Sequence, residues 1–284
     1  MSDAAAAAPP GSRATTVIDP EPARLAPAFR ELFQYRELLY FLAWRDVKVR
    51  YKQTALGVAW AVLQPVLTMV VFSVFLGRLA GVPSDGLPYP LFAYVALVPW
   101  QLFAHALTDS GNSVVANQTL ITKVYFPRLV IPVATVLAGL VDFGVALAVL
   151  VALMVVYGTG LSVAVLALPL FILLALATAL GAGLWLSALN VQYRDVRYAL
   201  PFIAQLWLFA SPVAYPSSLV PERWRLLYGL NPVAGVVEGF RWALVGGSLP
   251  PGWLTLASGV AAVALLVSGL AYFRRMEDGF ADTV

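Results

Sequence analysis

From Leu56 to Leu76 the chain carries no ionisable side chain, whereas Arg45, Asp46, Lys48, Arg50 and Lys52 crowd the stretch just before it. At about 1.5 Å per helical residue, an uncharged apolar run of this length crosses a hydrocarbon core of about 30 Å. Inside that core every backbone N–H and C=O needs a partner within the protein, which leaves only helices and closed barrels. The pattern recurs along the chain, and the apolar runs are continuous rather than alternating as barrel strands are. Composition agrees, with 61% hydrophobic and 12% charged residues, against about a quarter charged in a soluble domain. The expected fold class is therefore all-α, a polytopic membrane protein.

Six spans are expected, at about 56–76, 89–107, 130–157, 161–189, 198–213 and 253–273. Pro65 in the first needs a neighbouring helix to satisfy the carbonyl it frees. Only a few residues around Gly158-Thr159-Gly160 join the third span to the fourth, so these two run antiparallel side by side. A polar connection at 108–128 follows the second span. Between Pro216 and Pro251 the apolar pieces are too short to cross, and the segment 216–250 is expected to hold re-entrant or interfacial helices.

Ahead of the first span, 31–52 reads as an amphipathic helix. Tyr40, Trp44, Val47 and Tyr51 recur at helical spacing as an aromatic stripe, and Arg45, Lys48 and Lys52 repeat that spacing one position later, about 100° further round. Such a helix suits a membrane interface, with rings at headgroup depth and cations against anionic lipid. The segment 1–28 is Ala/Pro-rich, lacks the apolar core of a signal peptide and is expected to be a disordered tail.

Cations set the orientation. One side of the expected topology holds fourteen Lys and Arg, from Arg13 to Lys52 and at Lys123, Arg128, Arg194, Arg197, Arg274 and Arg275. The other side holds four, Arg78, Arg223, Arg225 and Arg241. The positive-inside rule then places both termini in the cytoplasm and the segment 216–250 on the outer side.

Several chemistries are excluded. With no cysteine there is no disulfide or thiolate nucleophile, and with His105 the only histidine there is no multi-histidine metal site. The three lysines, Lys48, Lys52 and Lys123, are none of them preceded by glycine, so no Gly-x-x-x-x-Gly-Lys-Ser/Thr phosphate loop exists. A pump built from this chain takes its ATP on another subunit. Asp142, near the middle of the third span, is a functional candidate because an intramembrane carboxylate is costly; read alone, it is a carboxylate at a helix contact or in a wet cavity. Glu238 and Arg241 stand three apart and fit either a surface ion pair or a brace for a re-entrant helix. His105 and Asp109 read as interfacial polar residues. A membrane-embedded enzyme wants paired carboxylates or a metal cluster, and a proton-coupled carrier wants several intramembrane ionisable groups. The acids here look scattered and Asp142 nearly alone.

Four segments together resemble the transmembrane subunit of ABC-2-type polysaccharide exporters, the permeases for O-antigen, capsule and teichoic acid. They are Arg50-Tyr51-Lys52-Gln53-Thr54-Ala55-Leu56-Gly57 with Trp60 and Pro65; Asn117 to Arg128; Asn190 to Pro201 running on to Ser211-Pro212-Val213; and Asn231-Pro232 with Glu238-Gly239-Phe240-Arg241. The similarity spans about Leu32 to Arg275 and implies a domain over 29–284. It implies a homodimer with two copies of a P-loop ATP-binding subunit, ATP and magnesium being held there and no cofactor in this chain. The substrate it implies is an undecaprenyl-diphosphate-linked glycan, in a bacterial inner membrane, with no nucleic-acid partner. By the same resemblance the connection 108–128 carries the element that docks on the ATPase, with Asn112, Asn117, Thr119, Lys123, Tyr125, Phe126 and Arg128 as coupling residues. Arg45, Lys48, Arg50 and Lys52 would admit the lipid pyrophosphate, and Asn231, Glu238 and Arg241 would belong to an outer gate. A sibling expectation is an ABC-2 exporter of another lipid or a drug.

Overall fold

The computed structural model describes residues 25–52, 57–160, 162–246 and 252–280. The expected tail thus lies outside the described residues up to position 24, and positions 25–28 fall in the first helix. All regular elements among the described residues are helical. In chain order they are α1 (Leu25–Gln34), α2 (Arg36–Lys52), α3 (Gly57–Phe72, continued by a π-helical turn Ser73–Leu79), α4 (Tyr89–Ala116), α5 (Gln118–Lys123) and α6 (Val130–Val156). Then come α7 (Leu168–Gln192, after a 3-10 turn Val163–Ala167), α8 (Val196–Ala210), α9 (Glu222–Gly229), α10 (Pro232–Val245) and α11 (Trp253–Met276). Five are long and apolar enough to cross a membrane: α3, α4, α6, α7 and α11 with their attached turns. The chain is a multi-pass, all-α membrane protein.

The boundaries differ from the expected ones where local chemistry overrides hydropathy. The expected fifth span, 198–213, is the 15-residue α8, about 22 Å long at the helical rise and short of a full hydrocarbon core. It stops because Pro212 forces Ser211 into extended backbone, at φ −111° and ψ 151°. The expected single helix 31–52 is two, α1 and α2, meeting at Tyr35. The second span runs on to Ala116 instead of ending near Leu107. The polar residues after Leu107 do not break it because they bond back to carbonyls of their own helix: Thr108 Oγ1 to Ala104 at 2.9 Å, Asn112 Nδ2 to Thr108 at 2.9 Å and Ser113 Oγ to Ser110 at 2.7 Å.

α4 is the axis of the fold. Of its most apolar window 78% is buried, against 11% for α3, so α4 is enclosed by protein while α3 lies at the periphery. α6 and α7 pack along α4, and α11 packs along α7. Lipid tails are as apolar as leucine, so close van der Waals fit rather than water exclusion holds such helices together. The α7–α11 crossing shows it: a Cβ added at Gly269 would fall on the carbonyl oxygen of Gly181, and one added at Gly181 would lie 2.6 Å from the Leu266 nitrogen. One turn further on, Trp185 stacks on Tyr272 with ring centres 4.0 Å apart.

Two apolar clusters divide the length of the bundle. One gathers Leu42 of α2, Val114 of α4, Ile121 of α5, Leu184 of α7 and Phe273 of α11, and marks the end where Lys123, Arg128, Arg274 and Arg275 lie; we call this the basic end. The other joins the middle and opposite end, where α10 packs against α4, α7 and α11. There Asn231 caps α10 by accepting from the Val233 N–H at 3.1 Å, with Pro232 at the first helical position. Gly246, left-handed at φ 66°, ends it.

Candidate functional site

At the basic end the chain turns from α4 into the short α5. Asn117 sits between them and donates from Nδ2 to the Ser113 carbonyl at 2.8 Å. Thr119, Lys123 and Tyr125 face outward, and Tyr125 is 82% exposed. Phe126 is buried and Arg128 half-buried. Asn112 points the other way: its Oδ1 accepts from Asn190 Nδ2 of α7 at 3.1 Å. The residues expected to couple to a partner thus separate into an outward set, Thr119, Lys123 and Tyr125, and an inward set, of which Asn112 bonds to α7, Asn117 to α2 and Phe126 is buried.

α2 has two faces of different character. Tyr40 and Trp44 stay exposed, and Lys48 Nζ lies 5.5 Å from the centre of the Trp44 ring. Trp44, Arg45, Lys48 and Lys52, with Phe41 and Val49, line an outward groove of about 370 Å³. Leu42 is buried against the bundle, and Arg45 straddles the two faces, donating to Asp46 at 2.8 Å and to Asn117 Oδ1 at 2.9 Å. Tyr51 leaves the expected aromatic stripe, since its hydroxyl bonds Asp142. Burial first, and then that bond, push the Tyr51 phenol up to about 12.

Arg50 does not join the other cations. It pairs with Asp142 of α6, and its Nη2 donates to Asp109 of α4 at 2.8 Å. Burial alone would lower its pKa, but the two carboxylates outweigh burial and raise it. This corrects two expectations. Asp142 is not nearly alone but is held by Arg50 and Tyr51, and Asp109 is half of a carboxylate pair rather than a simple interfacial residue. An uncompensated charge inside a membrane is costly, so the partner that sequence hides is the one physical chemistry demands.

Beside this triad a cleft of about 540 Å³ opens between α3, α4 and α6, with Trp60, Gln64, Gln101 and His105 on its walls. At the opposite end of the bundle, Arg241 and Glu238 form an ion pair at 3.2 Å. Arg241 is buried, donates to the Val213 carbonyl at 3.1 Å and lies over the Phe92 ring at 3.7 Å. Asn231 accepts from Trp207 Nε1 at 2.9 Å and donates to Ser211 Oγ at 3.0 Å. These three residues brace α10 against α4 and the end of α8. Among the described residues no group of three or more His, Cys, Asp and Glu is arranged to hold a metal ion.

The fold and its ends describe a multi-pass helical membrane subunit. The chain matches the ABC-2 type transporter family over residues 37–245 and belongs to that family. It is 30% identical over 258 residues to the O-antigen export system permease protein RfbA of Myxococcus xanthus, covering 90% of this chain and 98% of the relative. It is 30% identical over 249 residues to the RfbA of Klebsiella pneumoniae, covering 87% and 94%. With the polysialic acid transport protein KpsM of Escherichia coli it shares 26% over 239 residues, covering 82% and 91%. Membership in this family means transport rather than catalysis.

Proposed function

We propose that this chain is the transmembrane subunit of an ATP-driven exporter that moves an undecaprenyl-diphosphate-linked, O-antigen-like polysaccharide across the bacterial inner membrane. The observation that carries the reading is near-full-length similarity to permeases named for O-antigen export. The working unit is a homodimer with two P-loop ATPase subunits, and both termini face the cytoplasm. The absence of a phosphate loop from the chain fits energy supplied by a partner.

Each part of the geometry supports a step. Thr119 and Lys123 on α5, with Tyr125 just beyond its end, present the surface that receives the ATPase. Trp44, Arg45, Lys48 and Lys52 line a groove in which cations meet an aromatic ring, suited to a diphosphate headgroup at the membrane interface. Arg50, turned onto two carboxylates, is removed from that role. Asn231, Glu238 and Arg241 hold the outer elements, as a gate requires. The test is deletion of the gene in its host, with surface polysaccharide read by gel and the tagged chain purified in mild detergent. Loss of surface glycan with intracellular lipid-linked polymer, and a stoichiometric P-loop ATPase in the preparation, is the expected result. Normal surface glycan, or a different accumulating lipid, overturns it in favour of an exporter of another lipid or drug.

A further inference from the structure

Three polar side chains on the walls of the α3–α4–α6 cleft, Gln64, Gln101 and His105, make no hydrogen bond among the described residues. Hydrocarbon cannot satisfy such groups, and leaving them bare against lipid is costly. The cleft is therefore wet or filled by something polar. Its charged residues decide which. Among the described residues Arg50 brings one positive charge and Asp109 and Asp142 bring two negative ones, so this lining is negative overall and repels phosphate and carboxylate. The volume of about 540 Å³ lies within the usual range for a small-ligand site. Trp60, 54% exposed, offers a broad indole face at one wall, while Val98, Leu102 and Phe143 supply apolar backing.

Carboxylate oxygens that accept, amides that donate and accept, and a flat aromatic face are together the complement of a sugar ring, with hydroxyls round its edge and C–H bonds on its face. We propose that this cleft is a binding site for an uncharged sugar unit of the exported glycan. Arg50 orients the two carboxylates so that they accept from hydroxyls, and the diphosphate end of the substrate is kept out by charge. The proposal rests on the reading of the chain as a polysaccharide exporter. It adds to that reading where the glycan touches a single protomer and which glycan chemistry is favoured there.

The chain contains no cysteine, so Gln101→Cys on α4 and Gln64→Cys on α3 each install a unique thiol on opposite walls. Each variant is assembled with its ATPase partner in membranes from cells that make the surface glycan and from cells blocked in its synthesis. The probes are methanethiosulfonate reagents that are positive, neutral or negative. Both thiols are expected to react, the positive reagent roughly tenfold faster than the negative one, with labelling several-fold slower in glycan-loaded membranes. Asp109→Asn in the Gln101→Cys background is expected to erase most of the charge preference. A thiol no reagent reaches, faster reaction with the anion, or equal rates with and without glycan would overturn the proposal. The exporter reading fails separately, if cells lacking the chain still display their glycan.

Discussion

The guanidinium of Arg45 on α2 donates to the side-chain oxygen of Asn117, 2.9 Å away at the junction of α4 and α5. The helix that lines the cationic groove is thereby bonded to the residue from which the outward-facing α5 begins. Arg45→Gln and Asn117→Ala should each lower export while leaving insertion intact. Combined, they should show a coupling energy of about 0.5–1.5 kcal/mol in a double-mutant cycle on thermal stability. Strict additivity would mean that the bond does not hold the two helices together.

Removing Arg50 should cost more than removing either of its acids. Arg50→Gln leaves Asp109 and Asp142 facing each other's charge, whereas Asp142→Asn keeps a polar partner for Tyr51. With a third of the Arg50 side chain exposed, the loss should be roughly 1–3 kcal/mol, below the cost of orphaning a fully buried charge. Detergent-resistant melting of the two variants, measured side by side, checks the order.

The α7–α11 crossing has no room for a side chain. Gly269→Val should reduce folded yield and cost about 1–3 kcal/mol, with Gly269→Ala in the same direction but smaller. Size-exclusion profiles and melting temperatures read this. An unperturbed valine variant would mean that the helices separate at little cost.

Tyr125 and Lys123 stand out from the bundle, so changing them should spare the fold and affect association. Lys123→Glu and Tyr125→Ala should leave yield and melting unchanged, with the ATPase lost from the purified complex. An anchor of this kind is worth about 2 kcal/mol or more, near a thirtyfold change in affinity. Undiminished co-purification of both variants would move the docking surface elsewhere.

The spanning helices were legible because apolar run length alone specifies them. The end of α4 was not: Thr108, Asn112 and Ser113 look like a loop by polarity, and only their return bonds to the helix show otherwise. Nor could hydropathy reveal that α8 would be cut short at Ser211. The site was half legible. Asp142 announced itself by cost, but its partner lies 92 positions earlier, beyond any local pattern. The helical wheel does separate that partner from its neighbours. At 100° per residue Arg50 stands about 200° from Lys48, on the other side of the helix from the groove cations. A run of charges along the sequence is therefore not one face of the helix.

α4, enclosed along most of its length, spans 28 residues, about 42 Å. Its first residue, Tyr89, donates its hydroxyl to the Ala214 carbonyl at 2.7 Å, and Asn117 at its far end is gripped by Arg45. Clasped at both tips and walled in between, such a rod resists sideways bending, so its two ends are mechanically tied to each other across the whole thickness of the bundle.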